Sequence, residues 1–219
     1  MSVDARAMME LARRLFPEGS PLYRALQVYR PRICPFHVLV EAVPPGATVL
    51  DVGCGGGLFL ALLAGSGRIA RGVGFDAAAA AIDLARRAAA RLPEGMLEFH
   101  HRNVGENWPD GLFDVVSVID LLHHVPESAR PQVIAEAAAR VRPGGMLLVK
   151  DMAEGPFPYV LASLVHDLVL ARQWVSFPKR ADILAWAAQA GATLESERID
   201  TMLWYRHHLF VFRKQEQAP

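Results

Sequence analysis

The sequence predicts a doubly wound α/β fold, in which a seven-stranded, mostly parallel sheet with an antiparallel last strand carries helices on both faces and an N-terminal helical cap. Three observations lead to this prediction. Short apolar runs alternate with helical patterns from Thr48 onward, which is the order of βαβ units. The run FDVVSVID at 113–120 is almost wholly apolar, as strands covered on both faces are. Four glycines in five positions, Gly53 to Gly57, follow an apolar run where a strand would turn into a helix.

The first 45 residues read as helices. Residues 2–16 place Met8, Leu11 and Leu15 on one face and charged side chains elsewhere, which predicts an amphipathic helix. Prolines and a glycine at 17–21 end it, and two shorter helices are predicted at 22–29 and 35–43. We expect the region 1–45 to cover the ligand site of the core that follows.

Residues 46–151 form the predicted binding core, which opens on the turn VPPG. Its strands and helices alternate along the chain. The predicted strands are 48–52, 69–76, 97–101, 113–120 and 146–150. The predicted helices are 58–64, 77–92 and 126–141, and the alanine-rich composition of the second reflects helix propensity rather than disorder.

The C-terminal third adds two helices and two strands. The helices are predicted at 159–172 and 180–189, and the strands at 193–200 and 205–214. Residues 156–177 are interpreted as a helical insert on the acceptor side, and 178–213 as the final helix and strand pair. With no linker or repeat in view, residues 1–219 are expected to form a single domain.

Composition excludes several classes of protein. Basic and acidic residues number 23 each, so bulk charge does not hold this chain on nucleic acid. Two cysteines, Cys34 and Cys54, imply no disulfide scaffold and favour a reducing compartment. The N-terminus lacks the apolar core of a signal peptide, and no stretch approaches the length of an apolar membrane span. We expect a cytoplasmic protein with no nucleic-acid partner and no integral membrane association.

The glycine-rich turn reads D-x-G-x-G-G-G over 51–57. A dinucleotide fingerprint would need a sixth-place glycine, and counting from Gly53 that place holds Leu58. The aspartate at the entrance, Asp51, suits a cationic ligand group better than a pyrophosphate. An oxidoreductase that uses NAD is therefore disfavoured.

Together with later segments, LDVGCGGG resembles the first motif of the class I S-adenosylmethionine-dependent methyltransferases that act on small molecules (types 11 and 25), whose fold is Rossmann-like. The resemblance covers about 35–213, with FDVVSVIDLLHHVP and RVRPGGMLLVKD resembling the fourth-strand motif and the fifth strand with its turn. GVGFD ends in Asp76, where the family places an acid that accepts both ribose hydroxyls, and Asn103 stands where the family often has an aspartate for the adenine amino group.

The resemblance implies S-adenosyl-L-methionine as cofactor and S-adenosyl-L-homocysteine as product. Within it, Asp51 would hold the ammonium of the methionine moiety, and the backbone at Gly53 and Gly55 would approach the cofactor closely. The cofactor-binding residues that it implies are Asp51, Gly53, Cys54, Gly55, Gly57, Asp76, Ala77, Asn103, Val104 and Asp120.

Four histidines are candidates for chemistry, although methyl transfer needs a base only if the acceptor must lose a proton. His123 and His124 follow the fourth predicted strand, at the ligand end of the sheet, and are the catalytic candidates; alternatively, one of them hydrogen-bonds the loop. His207 and His208 are interpreted as polar residues of an edge strand. No histidine pair has an acid-rich partner set, so no metal site is predicted.

The acceptor is predicted to be small and substantially apolar or aromatic, because the segment 156–177 is apolar nearly all round. Core packing of that segment is the alternative. The methylated atom, O, N or C, stays open, as does a homodimer. Two other functions also stay open: a cofactor-binding but catalytically silent partner subunit, and transfer of a different group from a related cofactor.

Overall fold

The computed structural model describes residues 4–17, 21–153, 176–203 and 205–216. The helices of these ranges are α1 (Ala5–Leu15), α2 (Pro21–Ile33), α3 (Phe36–Ala42), α4 (Leu58–Gly65), α5 (Ala79–Ala89), α6 (Arg130–Ala139) and α7 (Arg180–Gln189). The strands are β1 (Ala47–Val52), β2 (Ile69–Asp76), β3 (Leu97–His101), β4 (Phe113–Ile119), β5 (Val141–Met152), β6 (Ala192–Met202) and β7 (Tyr205–Lys214). The helix predicted at 159–172, and with it most of the predicted insert at 156–177, lies outside the described residues.

The described strands form a seven-stranded sheet in the order β3-β2-β1-β4-β5-β7-β6. β1, β2 and β3 pair in parallel, whereas β7 runs antiparallel to both β5 and β6. The antiparallel pairing of β6 with β7 has a local cause, because β7 begins soon after Leu203, which turns with φ +55°, and so short a connection joins only antiparallel neighbours. The predicted fold class is confirmed.

The chain divides into two compact units, Met1–Phe113 and Asp114–Pro219. The first unit contains α1 to α5 and the β1–β3 ladder. Its core is built around α4, which is apolar on every side because it packs against α1, α3 and α5 as well as β1 to β3. The second unit contains α6, packed against β5 and α7, and the ladder of β5, β7 and β6.

Several element boundaries differ from the sequence prediction, among them those of α2, α6 and β4. α2 continues past Pro31, because a proline in the last turn removes only one hydrogen bond, and Cys34 N–H still donates to the Arg30 carbonyl at 2.9 Å. α6 ends at Ala139, and the predicted turn after it is the start of β5. There Arg142 pairs with Asp114, and the lack of a side chain at Gly145 permits close backbone packing. β4 ends at Ile119 rather than at Asp120.

Replacing Gly57 with alanine is expected to destabilise the fold by about 2–5 kcal/mol. Gly57 begins α4 with φ +74°, and a Cβ there would lie 2.7 Å from Phe99 Cζ and 2.8 Å from the Ala85 Cβ. Urea unfolding measures the loss. Gly46→Ala is the matched control, because Gly46 has φ +75° with nothing within 4 Å of the added Cβ. It should cost only the left-handed strain, about 1–2 kcal/mol, and equal losses in the two variants would contradict the packing role of Gly57.

Candidate functional site

The glycine-rich turn between β1 and α4 leaves backbone open to a ligand at Gly55. Gly53 and Gly55 have φ of +68° and +53°, a conformation that favours glycine. A Cβ built on Gly55 would meet no atom within 4 Å, so there is open space beside the backbone of this residue. Gly57 faces the packed interior instead. The turn can therefore admit a ligand at Gly55.

Asp76, at the end of β2, ties this turn to the next helix. Its Oδ2 accepts a hydrogen bond from Gly55 N–H at 2.9 Å, and its Oδ1 accepts one from Ala78 N–H at 2.8 Å, just before α5. A carboxylate has about four lone-pair positions, so two acceptor positions remain after these bonds. Asp76 thus anchors the turn and keeps the capacity to accept two hydroxyl groups.

The turn carries negative charge. Asp51 is buried at the end of β1, and Cys54 is buried within the turn. The pKa of the Cys54 thiol is raised well above 9.0, first by burial and then by the carboxylates of Asp51 and Asp76. The thiol is therefore not a ready nucleophile. Because both carboxylates act on the same buried atom, the site suits a cationic ligand and disfavours a pyrophosphate.

The segment after β3 forms a polar turn that is attached to the core by the side chain of Trp108. Asn103 is exposed, and its Oδ1 accepts a hydrogen bond from Gly105 N–H at 3.1 Å, so it stabilises the turn while one lone pair remains. Trp108 donates from Nε1 to the Val104 carbonyl at 2.9 Å and packs on Phe75 at a ring-centre distance of 5.1 Å. Sequence reasoning missed Trp108, although a lone tryptophan in a polar stretch is a signal for such an anchor.

In the second unit, the structure pairs His123 with a partner that the sequence did not identify. His123 Nδ1 lies 2.6 Å from Asp151 Oδ1, and both side chains are almost fully buried. Asp151 Oδ2 also accepts from the backbone N–H of His123 at 3.3 Å. A carboxylate oxygen accepts hydrogen bonds, so the Nδ1–H form of the ring is the one that donates to Asp151. The sequence signal that could have identified Asp151 as a partner is its position as a carboxylate directly after the fifth predicted strand.

The neighbours of this pair are aromatic. His124 is exposed, and its ring centre lies 4.0 Å from that of His123. The ring centre of Phe177 lies 5.8 Å from that of His123. Of the two histidines predicted from sequence, His123 thus has the geometry of a buried acid-base pair, whereas His124 is exposed beside it.

Asp120, the last predicted cofactor residue, pairs with a buried lysine. Its φ is +52°, a conformation rare for a residue other than glycine, and its N–H donates to the Lys150 carbonyl at 2.8 Å. The Lys150 ammonium, only 1% exposed, donates to Asp120 Oδ1. Backbone strain of the kind that the positive φ of Asp120 indicates is often found at functional sites.

His207 and His208 are not on an edge strand, contrary to the sequence interpretation. β7 lies between β5 and β6, so both histidines are buried. His208 Nε2 lies 2.6 Å from Glu197 Oε1, and Arg180 contacts both oxygens of that carboxylate at 2.6 Å. This second histidine–carboxylate pair lies across β6 and β7, and its carboxylate is already paired with a guanidinium.

The acid stability of the fold is expected to depend on Glu197. The Arg180 hydrogen bonds, helped by His208, lower the pKa of Glu197 from 4.5 to about 2. Because the folded-state pKa is depressed, the ionised group stabilises the fold above pH 4.5, and this stabilisation is lost as the pH falls towards the folded-state pKa of about 2. The difference in Tm between the wild type and Glu197→Gln should therefore shrink as the pH falls from about 4.5 towards 2. A difference that persists unchanged at pH 2 would contradict this assignment.

Within the described ranges, no three or more histidine, cysteine, aspartate or glutamate side chains cluster so that they could hold a metal ion. No helix in the same ranges is long and apolar enough to cross a membrane.

Comparison with known proteins identifies similar chains. A family model described as a methyltransferase domain matches residues 25–197. The ubiquinone biosynthesis O-methyltransferase of Hahella chejuensis is 32% identical over 163 residues, which make up 70% of this chain and 66% of that protein. Sodalis glossinidius and Pseudomonas paraeruginosa have relatives of the same name. The chain spans 58 to 66% of the length of these three relatives.

Solved structures show the same fold. An O-methyltransferase family protein from Burkholderia thailandensis has a TM-score of 0.75 at 22% identity, over 100% of this chain and 65% of its own. The magnesium protoporphyrin IX methyltransferase of Synechocystis PCC 6803, solved with bound SAH, has a TM-score of 0.68 at 18% identity, over 95% and 94% of the two chains.

Proposed function

Because this chain belongs to the class I S-adenosylmethionine-dependent methyltransferases, we propose that it transfers a methyl group to a hydroxyl oxygen of a small, apolar or aromatic acceptor. The cofactor would bind at the glycine-rich turn of the first unit. The base for the transfer would be His123, held by Asp151 in the second unit.

Features of the glycine-rich turn support this placement of the cofactor. Gly55 offers open space beside its backbone, and Asp51 and Asp76 supply the negative charge that a sulfonium and an ammonium require. Asp76 would accept the ribose hydroxyls with its remaining lone pairs. Asn103 and Val104 would line the adenine side. S-adenosylmethionine supplies a methyl group that its sulfonium charge already activates, so the protein need only align the acceptor and exclude water.

The choice of oxygen as the methylated atom rests on the His123–Asp151 pair. A hydroxyl is a weak nucleophile until it loses its proton, whereas an amine attacks with its lone pair. A buried carboxylate that accepts from Nδ1–H would orient the ring, so that Nε2 would take the proton, and would stabilise the imidazolium that forms. The 2.6 Å contact between the two side chains is the observation that carries the proposal.

An aromatic hydroxyl suits this base better than an aliphatic one. A phenol has a pKa of about 10, whereas an aliphatic alcohol is far less acidic, so a histidine takes the proton of a phenol more readily. Phe177, beside His123, supplies an aromatic wall for such an acceptor. The name of the curated relatives, ubiquinone biosynthesis O-methyltransferase, supports the same choice of atom.

The test is a methyl-transfer assay with labelled S-adenosylmethionine and matched acceptors: a catechol, the corresponding aromatic diamine and the corresponding cyclohexanediol. We expect mass spectrometry to find a methyl ether of the catechol and no product of the other two. Methylation of the diamine alone would contradict oxygen as the target. Cofactor binding without transfer to any acceptor would favour the catalytically silent partner subunit.

Asp76→Ala is expected to weaken binding of S-adenosylmethionine more than tenfold. The carboxylate would lose two ribose hydrogen bonds, each worth about 1.5–3 kcal/mol, and the turn would lose the bond from Gly55 N–H. Calorimetric titration measures the affinity, and circular dichroism checks that the fold survives. Wild-type affinity in the variant would mean that Asp76 only anchors the turn and α5.

A further inference from the structure

A buried carboxamide in the first unit has an oxygen without a partner. Gln27 lies on α2 and is only 8% exposed. Its Oε1 is buried, and among the residues that the structure describes no donor reaches it. Buried polar side chains are nearly always hydrogen-bonded, so the unpaired Oε1 indicates that a ligand supplies the missing hydrogen-bond donor.

Gln27 lies against the glycine-rich turn itself. A Cβ on Gly56 would come within 2.8 Å of Gln27 Nε2 and 3.3 Å of its Cδ. Gly56 sits between Gly55, where the turn is open, and Gly57, where it is packed. The amide group therefore occupies the space that a side chain at position 56 would fill.

We propose that Gln27 is a cofactor-binding residue, whose Oε1 accepts a hydrogen bond from the ammonium group of the methionine moiety of S-adenosylmethionine. This inference rests on the proposed binding of that cofactor at the glycine-rich turn. No motif of the sequence pointed to Gln27, because α2 lies outside the βαβ core that carries the motifs.

A buried ammonium group needs more than one hydrogen-bond acceptor from the protein. An ammonium has three N–H donors, and each needs an acceptor when the group is buried. Asp51, the acid of the turn, can take some of them, and a neutral amide oxygen beside the turn can take another. The ribose hydroxyls are a weaker match for Gln27, because Asp76 has lone pairs for both of them.

The experiment compares two ligands in two variants by calorimetric titration. S-adenosylhomocysteine carries the ammonium, and its deamino analogue keeps the nucleoside, the thioether chain and the carboxylate without it. Gln27→Met keeps the length of the side chain but removes the acceptor, and Gln132→Met makes the same change on an exposed helical residue. We expect Gln27→Met to weaken binding of S-adenosylhomocysteine about tenfold or more, as loss of a hydrogen bond to a charged group does, and to leave binding of the deamino analogue unchanged. Gln132→Met should change neither.

Thermal unfolding without ligand gives a second readout. Removing an unsatisfied buried polar group should leave Tm unchanged or raise it, whereas a glutamine with a structural hydrogen bond would lower Tm when replaced. The inference is overturned if Gln27→Met lowers the Tm of the ligand-free protein, if it binds S-adenosylhomocysteine like the wild type, or if both ligands weaken equally. Failure of the wild type itself to bind S-adenosylhomocysteine would overturn the proposed function, and this inference with it.

Discussion

Asp151→Asn is expected to lower kcat by a factor on the order of 10²–10⁴ while the affinity for S-adenosylmethionine stays near that of the wild type. Met152 N–H also donates to Asp151 Oδ1 at 2.7 Å, so an asparagine would keep its oxygen towards His123 Nδ1, but the negative charge that stabilises the imidazolium would be lost. Steady-state kinetics with a phenolic acceptor measures kcat and KM, and calorimetry measures cofactor affinity separately.

A second pair in the same unit provides the matched control. His208 and Glu197 show the same 2.6 Å separation, but Glu197 is already paired with Arg180. His208→Gln should lower Tm and leave kcat and its pH profile unchanged. His123→Gln should lose about as much activity as Asp151→Asn, and the double variant should lose little more, because the two residues act as one unit. Additive losses, or equal effects at His123 and His208, would refute the acid-base assignment.

Gly55→Val is expected to lower the affinity for S-adenosylmethionine and S-adenosylhomocysteine by more than about a hundredfold, because the added atoms would fill the space in which we propose that the cofactor lies. A Cβ at this position points into the open space beside the turn, and φ +53° is unfavourable for a β-branched residue. Titration calorimetry measures the affinity for both compounds.

A control variant separates the two effects of Gly55→Val, which are strain in the backbone and obstruction of the cofactor site. Gly46 precedes β1, at the opposite end of that strand, and has φ +75° with open space around it. Gly46→Val carries the same backbone strain, so its loss in Tm should be similar to that of Gly55→Val while cofactor affinity is kept. If Gly55→Val binds S-adenosylhomocysteine normally, the cofactor does not approach the turn at this residue.

The sequence predicted most of the fold because the relevant signals are local. Apolar runs, helical spacing and the glycine cluster placed β1, α4 and β2 within a few residues of their observed bounds. The acids at the ends of strands were also visible, since Asp51 and Asp76 each close an apolar run. The prediction was wrong where contacts with distant residues determine the backbone conformation. The segment around Arg142 has the sequence of a turn, but it is extended in β5, where Arg142 pairs with Asp114.

What the sequence by itself determined is the order of strands and helices, the glycine-rich turn, and the acids that make this turn suit a cation. What only the tertiary structure decided is which side chains become partners. His123 meets Asp151 28 residues away, Asp76 holds Gly55 21 residues away, and Gln27 reaches Gly56 from a separate helix. The placement of β7 between two strands buries His207 and His208, which a strand pattern cannot reveal. Periodicity fixes which face a residue occupies, but strand register and packing between distant segments fix what it touches.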